Sequence, residues 1–261
     1  MRTIHLLVLS ALVGWLGCPP KRGSFVADPD RVKGLPSDVH EQIKLADAIV
    51  AQRPRTAREV DRALAALELA LDNKPPSRFE VLWRAARACY LMSDALEKKE
   101  ERVKYADRGR EYATEAVKLE AKRVEGHYYL AVSLGRKAEA LGKLKEVKPI
   151  LDAAQIAAKI DPKYDNGGVL CLMGKIYIMA PAWPVSAGSP EKAIEVLERA
   201  MKLAPTPLAR LFLGEAYFHD EQYPKAKEHV ERALREGKDL DARWRKEAED
   251  YLRRIAKRTQ P

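Results

Sequence analysis

Few residues of this 261-residue chain could do chemistry, and none stands in a pattern that would. The histidines are His5, His40, His127, His219 and His229. No two have the i, i+4 spacing that puts two imidazoles on one helix face for metal, and none lies beside a cysteine at zinc-ligand spacing. His127 falls at a packing position and reads as structural. His219 and His229 could approach across a helix pair but read as surface residues. Asp161–Gly168 (DPKYDNGG) sets two acids and an asparagine among glycines, which could hold a cation. It lacks the alternating acids and closing glutamate of a calcium loop, so it reads as the end of one helix and the cap of the next. Cys89 and Cys171 have no adjacent base to form a thiolate and read as buried apolar thiols, not as a disulfide. No glycine-rich phosphate loop is present. The expectation is a protein that is not an enzyme and carries no cofactor or metal.

Cys18 offers chemistry of another kind. In MRTIHLLVLSALVGWLG, Arg2 precedes an apolar run from Ile4 to Gly17. That is the length of a secretory signal core and short for a bilayer span. With Leu16 and Gly17 directly before the cysteine, residues 1–17 resemble a bacterial lipoprotein signal, although Trp15 stands where that family usually carries leucine. The resemblance implies that the Cys18 thiol takes a diacylglycerol and becomes the new amino terminus. Pro19, in place of an aspartate, leans toward the outer membrane. The competing reading is a plain secretory signal with a chance cysteine. Residues 18–38, with four prolines and no apolar period, read as a flexible tether.

Positioning any site in the rest falls to helices. From residue 39 to 261 the chain is rich in Ala, Leu, Glu, Lys and Arg, with helical rather than alternating apolar spacing. Units repeat within it. In Pro207–Ala233, Leu213-Gly214, Tyr217, Ala226, Val230 and Ala233 are spaced so that Gly214 lets two helices approach and Ala226 fills the facing position. Gly174 and Tyr177 pair likewise with Ala193, Leu197 and Ala200, across a long turn, Ala180–Pro190. Tyr128, Leu130 and Ala131 pair with Ile150, Ala154 and Ala157. Trp83, Ala86 and Tyr90 pair with Gly109, Ala113 and Ala116. Ala63, Leu67 and Ala70 pair with Gln42–Ala51. Leu240–Lys257 places Trp244, Ala248, Tyr251 and Ile255 on one face and reads as a capping helix.

These units resemble tetratricopeptide repeats, although only the interval from Ala193 to Ala226 is close to the usual period of about 34 residues. The expected fold is an all-α, tetratricopeptide-type α-solenoid of about five helix pairs plus a C-terminal capping helix. Pro162-x-Tyr164-Asp165-x-Gly167-Gly168, Gly174-x-x-Tyr177 and Gly188-x-x-x-x-Ala193 further resemble the T component of tripartite TRAP transporters. Those are tetratricopeptide-like periplasmic lipoproteins that assemble with a solute-binding subunit. Leu82–Tyr90 is similar to eukaryotic regulators of microtubule dynamics, which share the repeat type.

In such a repeat the first helices line the concave surface. The register of the motif puts Val81, Leu91, Met92, Tyr128 and Val132 there in the earlier units, and Cys171, Ile178, Met179, Leu211 and Phe218 in the later ones. This stripe forms either an apolar groove for a hydrophobic ligand or amphipathic partner, or simply core. Pro181, Trp183, Pro184 and Pro190 stiffen the long turn. Trp183 either contacts a partner or folds back as a plug.

The formal charge of +9 is spread over helix faces as Glu–Lys and Glu–Arg pairs, and aromatics are only 7%. Both argue against nucleic acid. The functional expectation is an envelope lipoprotein that scaffolds protein–protein contacts, with oligomers open. The alternative is a TRAP accessory that binds a hydrophobic ligand and docks a periplasmic solute-binding protein.

Overall fold

A computed structural model describes residues 29–52, 55–143, 147–238 and 240–260. The signal, Cys18 and the first part of the tether lie outside the described residues. Helix α1 (Pro29–Val32) is a single turn. Five helix pairs follow: α2 (Val39–Ala51) with α3 (Ala57–Asp72), α4 (Arg78–Ala95) with α5 (Lys99–Leu119), α6 (Val124–Leu141) with α7 (Lys148–Ile160), α8 (Tyr164–Met179) with α9 (Pro190–Leu203), and α10 (Pro207–His219) with α11 (Tyr223–Glu236). The last helix is α12 (Ala242–Arg258). The expected all-α solenoid of five pairs plus a cap is what folds.

Local sequence starts these helices where it should. Thr56 and Glu59 form a reciprocal capping box at α3. Ser77, Ser189 and Thr206 accept backbone N–H bonds at the starts of α4, α9 and α10. Each satisfies an amide that the helix itself leaves unpaired. Pro190 and Pro207 open their helices, where a missing N–H costs nothing.

Small residues set how closely the pairs pack. Ala63, Ala113, Ala154, Ala193 and Ala226 on the second helices are fully buried. Facing Ala226, Gly214 has no room for a side chain: a Cβ there would lie 2.6 Å from Val230 Cγ2 and 3.2 Å from the Ala226 carbonyl oxygen. Successive first helices also approach one another, α2 to α4, α4 to α6, α6 to α8, α8 to α10 and α10 to α12, whereas among the described residues no Cα of one second helix comes within 8 Å of the next. The first helices therefore form the inner face of the curve.

Two segments depart from expectation. The end of the 18–38 segment is not a loose tether. Arg31 lies against α3, with Nε and Nη2 donating to the two carboxylate oxygens of Asp61 (3.1 and 2.6 Å) and Nη1 to Glu68 (3.0 Å). Gly34 and Pro36 offer carbonyls to Arg62 and Gln42. A bidentate guanidinium–carboxylate pair of this kind outweighs the flexibility that the prolines suggest. At Asp161–Gly168, Asp161 does end α7, but no side chain caps α8. Instead Asp165, Asn166 and Gly167 take left-handed φ values of 52, 52 and 76°, a kink before the regular helix. Asn and Asp tolerate that region better than other side chains do.

Candidate functional site

The inner face is built from two materials. The first is aromatic. Trp83 on α4 stacks on Tyr129 of α6, with centroids 6.0 Å apart and planes 9° apart. Tyr128 and Tyr129 meet Tyr164 edge-on at 5.3 and 6.5 Å. The Tyr128 hydroxyl donates to Asp165 at 2.7 Å, tying α6 to the kink of α8. Burial, then the Asp165 charge, pushes the Tyr128 hydroxyl well above its ordinary range. The guanidinium of Arg84 lies 4.2 Å over the Trp83 ring.

The second material is a ladder of ion pairs between successive first helices. Asp47 of α2 receives Arg84 at 2.9 Å and also Arg87, both from α4. Asp94 of α4 receives Arg136 of α6 at 2.7 Å. Lys175 of α8 donates to Glu215 of α10 and Glu247 of α12, both at 2.6 Å. The Lys175 ammonium also lies 4.9 Å over Phe212 and 5.6 Å over Trp244. Glu215 is wholly buried, with the Glu247 carboxyl as its neighbour. Burial pushes its carboxyl up to about 8 against the pull of Lys175. Burial also pushes Glu247 up, but Glu215 and Lys175 together hold it below the usual carboxylate range.

The inner stripe read from the sequence is mostly interior. Val81, Met92, Tyr128, Val132, Cys171, Leu211 and Phe218 are packed in the core, Leu91 and Ile178 are half-buried, and Met179 is exposed. Missing from that reading were Arg84, Arg87, Arg136, Lys175 and Glu215. Their only sequence signal was charge within apolar runs, as in LWRAARACY and LCLMGKIYIM.

Trp183 is 85% exposed and Val185 58%, so the tryptophan does not fold back onto the array. The turn that presents them is tightly held. Gly188 N–H donates to the Pro181 carbonyl at 2.9 Å, Ser189 N–H to Tyr177 at 3.0 Å and Val185 N–H to Ala182 at 3.1 Å. A Cβ at Gly188 would lie 2.0 Å from the Ala180 carbonyl oxygen, so the turn requires glycine there. Residues 176–190 contain no charge, in a chain that is 33% charged.

The remaining candidates are structural. The Nε2 of buried His127 lies 2.9 Å from the Ala121 carbonyl oxygen. His219 lies against Tyr251 and His229 beside Tyr217. Cys89 and Cys171 are buried free thiols, and burial pushes Cys171 up to about 12. Among the described residues no group of three His, Cys, Asp or Glu could hold a metal ion, and no helix is long and apolar enough to cross a membrane.

Against known families, residues 43–170 match the one described as regulator of microtubule dynamics protein 1-3, and residues 185–248 match the tetratricopeptide repeat. Among solved structures, the chain is similar to a thermophilic TPR protein of Thermus thermophilus, with 19% identity and a TM-score of 0.59 over 82% of this chain and 99% of that one. A fainter likeness, with 15% identity and a TM-score of 0.45, is to yeast Tom70, covering 86% of this chain and 49% of that one. No curated protein sequence matches.

Proposed function

We propose, from the premise that the chain is a tetratricopeptide-type α-solenoid, that it is a non-catalytic interaction scaffold of the bacterial cell envelope. In this reading lipid on Cys18 holds it at the membrane, and an envelope protein docks on the Trp183 turn. Solenoids of this type offer extended surfaces to protein partners. The observation that carries the reading is an 85% exposed tryptophan on an uncharged turn pinned by backbone hydrogen bonds. The backbone that presents it is already held, so docking costs little further backbone entropy. Covering roughly 200 Å² of tryptophan at about 25 cal/mol per Å² is worth up to about 5 kcal/mol before other costs. The alternative, an apolar-ligand accessory that docks a periplasmic solute-binding protein, draws less support because most of its stripe is core.

The test compares the full-length chain with Trp183→Ala in the native bacterium. Membranes are fractionated, solubilised in detergent and cross-linked before capture. The chain is expected in the membrane fraction, with an envelope protein whose recovery falls about tenfold or more in the variant. The melting temperature should be unchanged. Recovery in the soluble fraction would remove the tether. A lowered melting temperature with capture intact would make Trp183 a structural residue.

A further inference from the structure

The last helix reaches back to the second repeat. Arg243, in the first turn of α12, donates from Nη1 to Asp94 of α4 at 2.6 Å and from Nη2 to Glu139 of α6 at 3.3 Å. These pairs span 149 and 104 residues of chain. Among the described residues no Cα of α12 comes within 8 Å of α4 or α6, so the backbones do not meet there. The side chain of Arg243 crosses the space between them. It thus links the far end of the inner face to its near half, and the solenoid curls far enough to be bridged.

We infer that Arg243 is a salt-sensitive clasp holding the inner face closed, and that the array opens along this face when the clasp lets go. Three features make release cheap. Neither carboxylate is stranded by it: the Asp94 oxygen that takes Arg243 also takes Arg136 at 2.7 Å, and Glu139 is held by Arg136 at 2.9 Å and Arg102 at 3.4 Å. Arg243 is 41% exposed and lies 4.7 Å over the ring of Trp244, so the freed guanidinium keeps both water and an aromatic face. Exposed ion pairs contribute little and are screened by salt. The rest of α12 stays anchored during opening through Lys175–Glu247, Phe212–Trp244 and Phe218–Tyr251. Opening is therefore a change of curvature spread over several pair-to-pair contacts, as a quasi-one-dimensional array permits.

The clasp goes beyond the Trp183 turn and does not depend on it.

The test is a distance measurement on the full chain. Spin labels on noncanonical side chains at Glu97, beyond the end of α4, and Lys246, on α12, avoid the native cysteines. At low salt the parent protein is expected to give one short, narrow distance distribution. Arg243→Ala and Arg243→Glu should shift it longer by several ångströms or broaden it, with helical content unchanged. About 0.5 M salt, where the screening length falls to roughly 4 Å, should move the parent the same way and the variants hardly at all. Identical distributions for parent and both variants at both salt levels would overturn the clasp, showing that helix packing alone sets the curvature. The readout needs no partner, so its failure leaves the scaffold reading intact, and the converse also holds.

Discussion

Glu68 is fully buried and is met by Arg31, Arg108 and the Tyr112 hydroxyl. Burial raises its carboxyl, while those partners pull it down. Glu215 has less: one ammonium on Oε2, and the Glu247 carboxyl beside it, which raises it further. Its carboxyl is raised from an ordinary value of 4.5 to about 8. The native chain therefore holds a proton that the unfolded chain releases between those values. The stability this contributes is complete below about 4.5 and is lost as pH rises through about 8. Glu215→Gln keeps an acceptor for Lys175 and cannot ionise. Urea melts of the variant across pH 5 to 8.5 are expected to be flatter than the parent's, with the variant gaining on the parent as pH rises. Parallel curves would show that Glu215 titrates near its ordinary value. In the sequence, Glu215 reads like any other charge in a helical run. Its burial follows from α8, α10 and α12 converging.

At the scale of elements the sequence is easier to read. Helix starts follow from Ser77, Thr206 and the Thr56/Glu59 box, because capping is a local hydrogen bond between residues three apart. The alanine and glycine markers read as contact points are contact points. Gly214→Ala would drive a methyl into Val230 and toward the Ala226 carbonyl. Overpacking of this kind costs about 1–3 kcal/mol, and chemical denaturation should show that loss without loss of helicity. Retained stability would mean that α10 and α11 can move apart freely. The start of α8 was harder to see. Proline and glycine near 162–168 announce a break, but the run of left-handed residues is held by the Tyr128–Asp165 bond, made across 37 residues.

Over the whole molecule, stacking closes each pair against the next, and the end of the stack must be covered. α12 does this with Trp244 against Phe212, Tyr251 against Phe218, and Ile255 buried. Burying side chains of this size contributes roughly 1.5–3 kcal/mol each. A chain ending at Asp241 should therefore melt well below the parent and self-associate in light scattering, because Phe212, Phe218 and Glu215 lose their cover. An unchanged melting temperature with a monodisperse chain would show that α12 is an appendage. The same helix carries Arg243, so the residue that bridges the inner face stands on the element that seals the array.

By itself the sequence determined the helices, their pairing and the need for a cap, because these rest on local spacing, capping bonds and the size of residues within one repeat unit. It also announced a stiff, uncharged turn around Trp183. Tertiary structure decided what each surface became. It sent Trp183 to solvent and most of the apolar stripe into the core, docked Arg31 on Asp61 and Glu68, and carried Arg243 back to Asp94. Those outcomes depend on the summed rotation from one helix pair to the next. Small angular differences add along the array, and no local stretch of sequence contains their total.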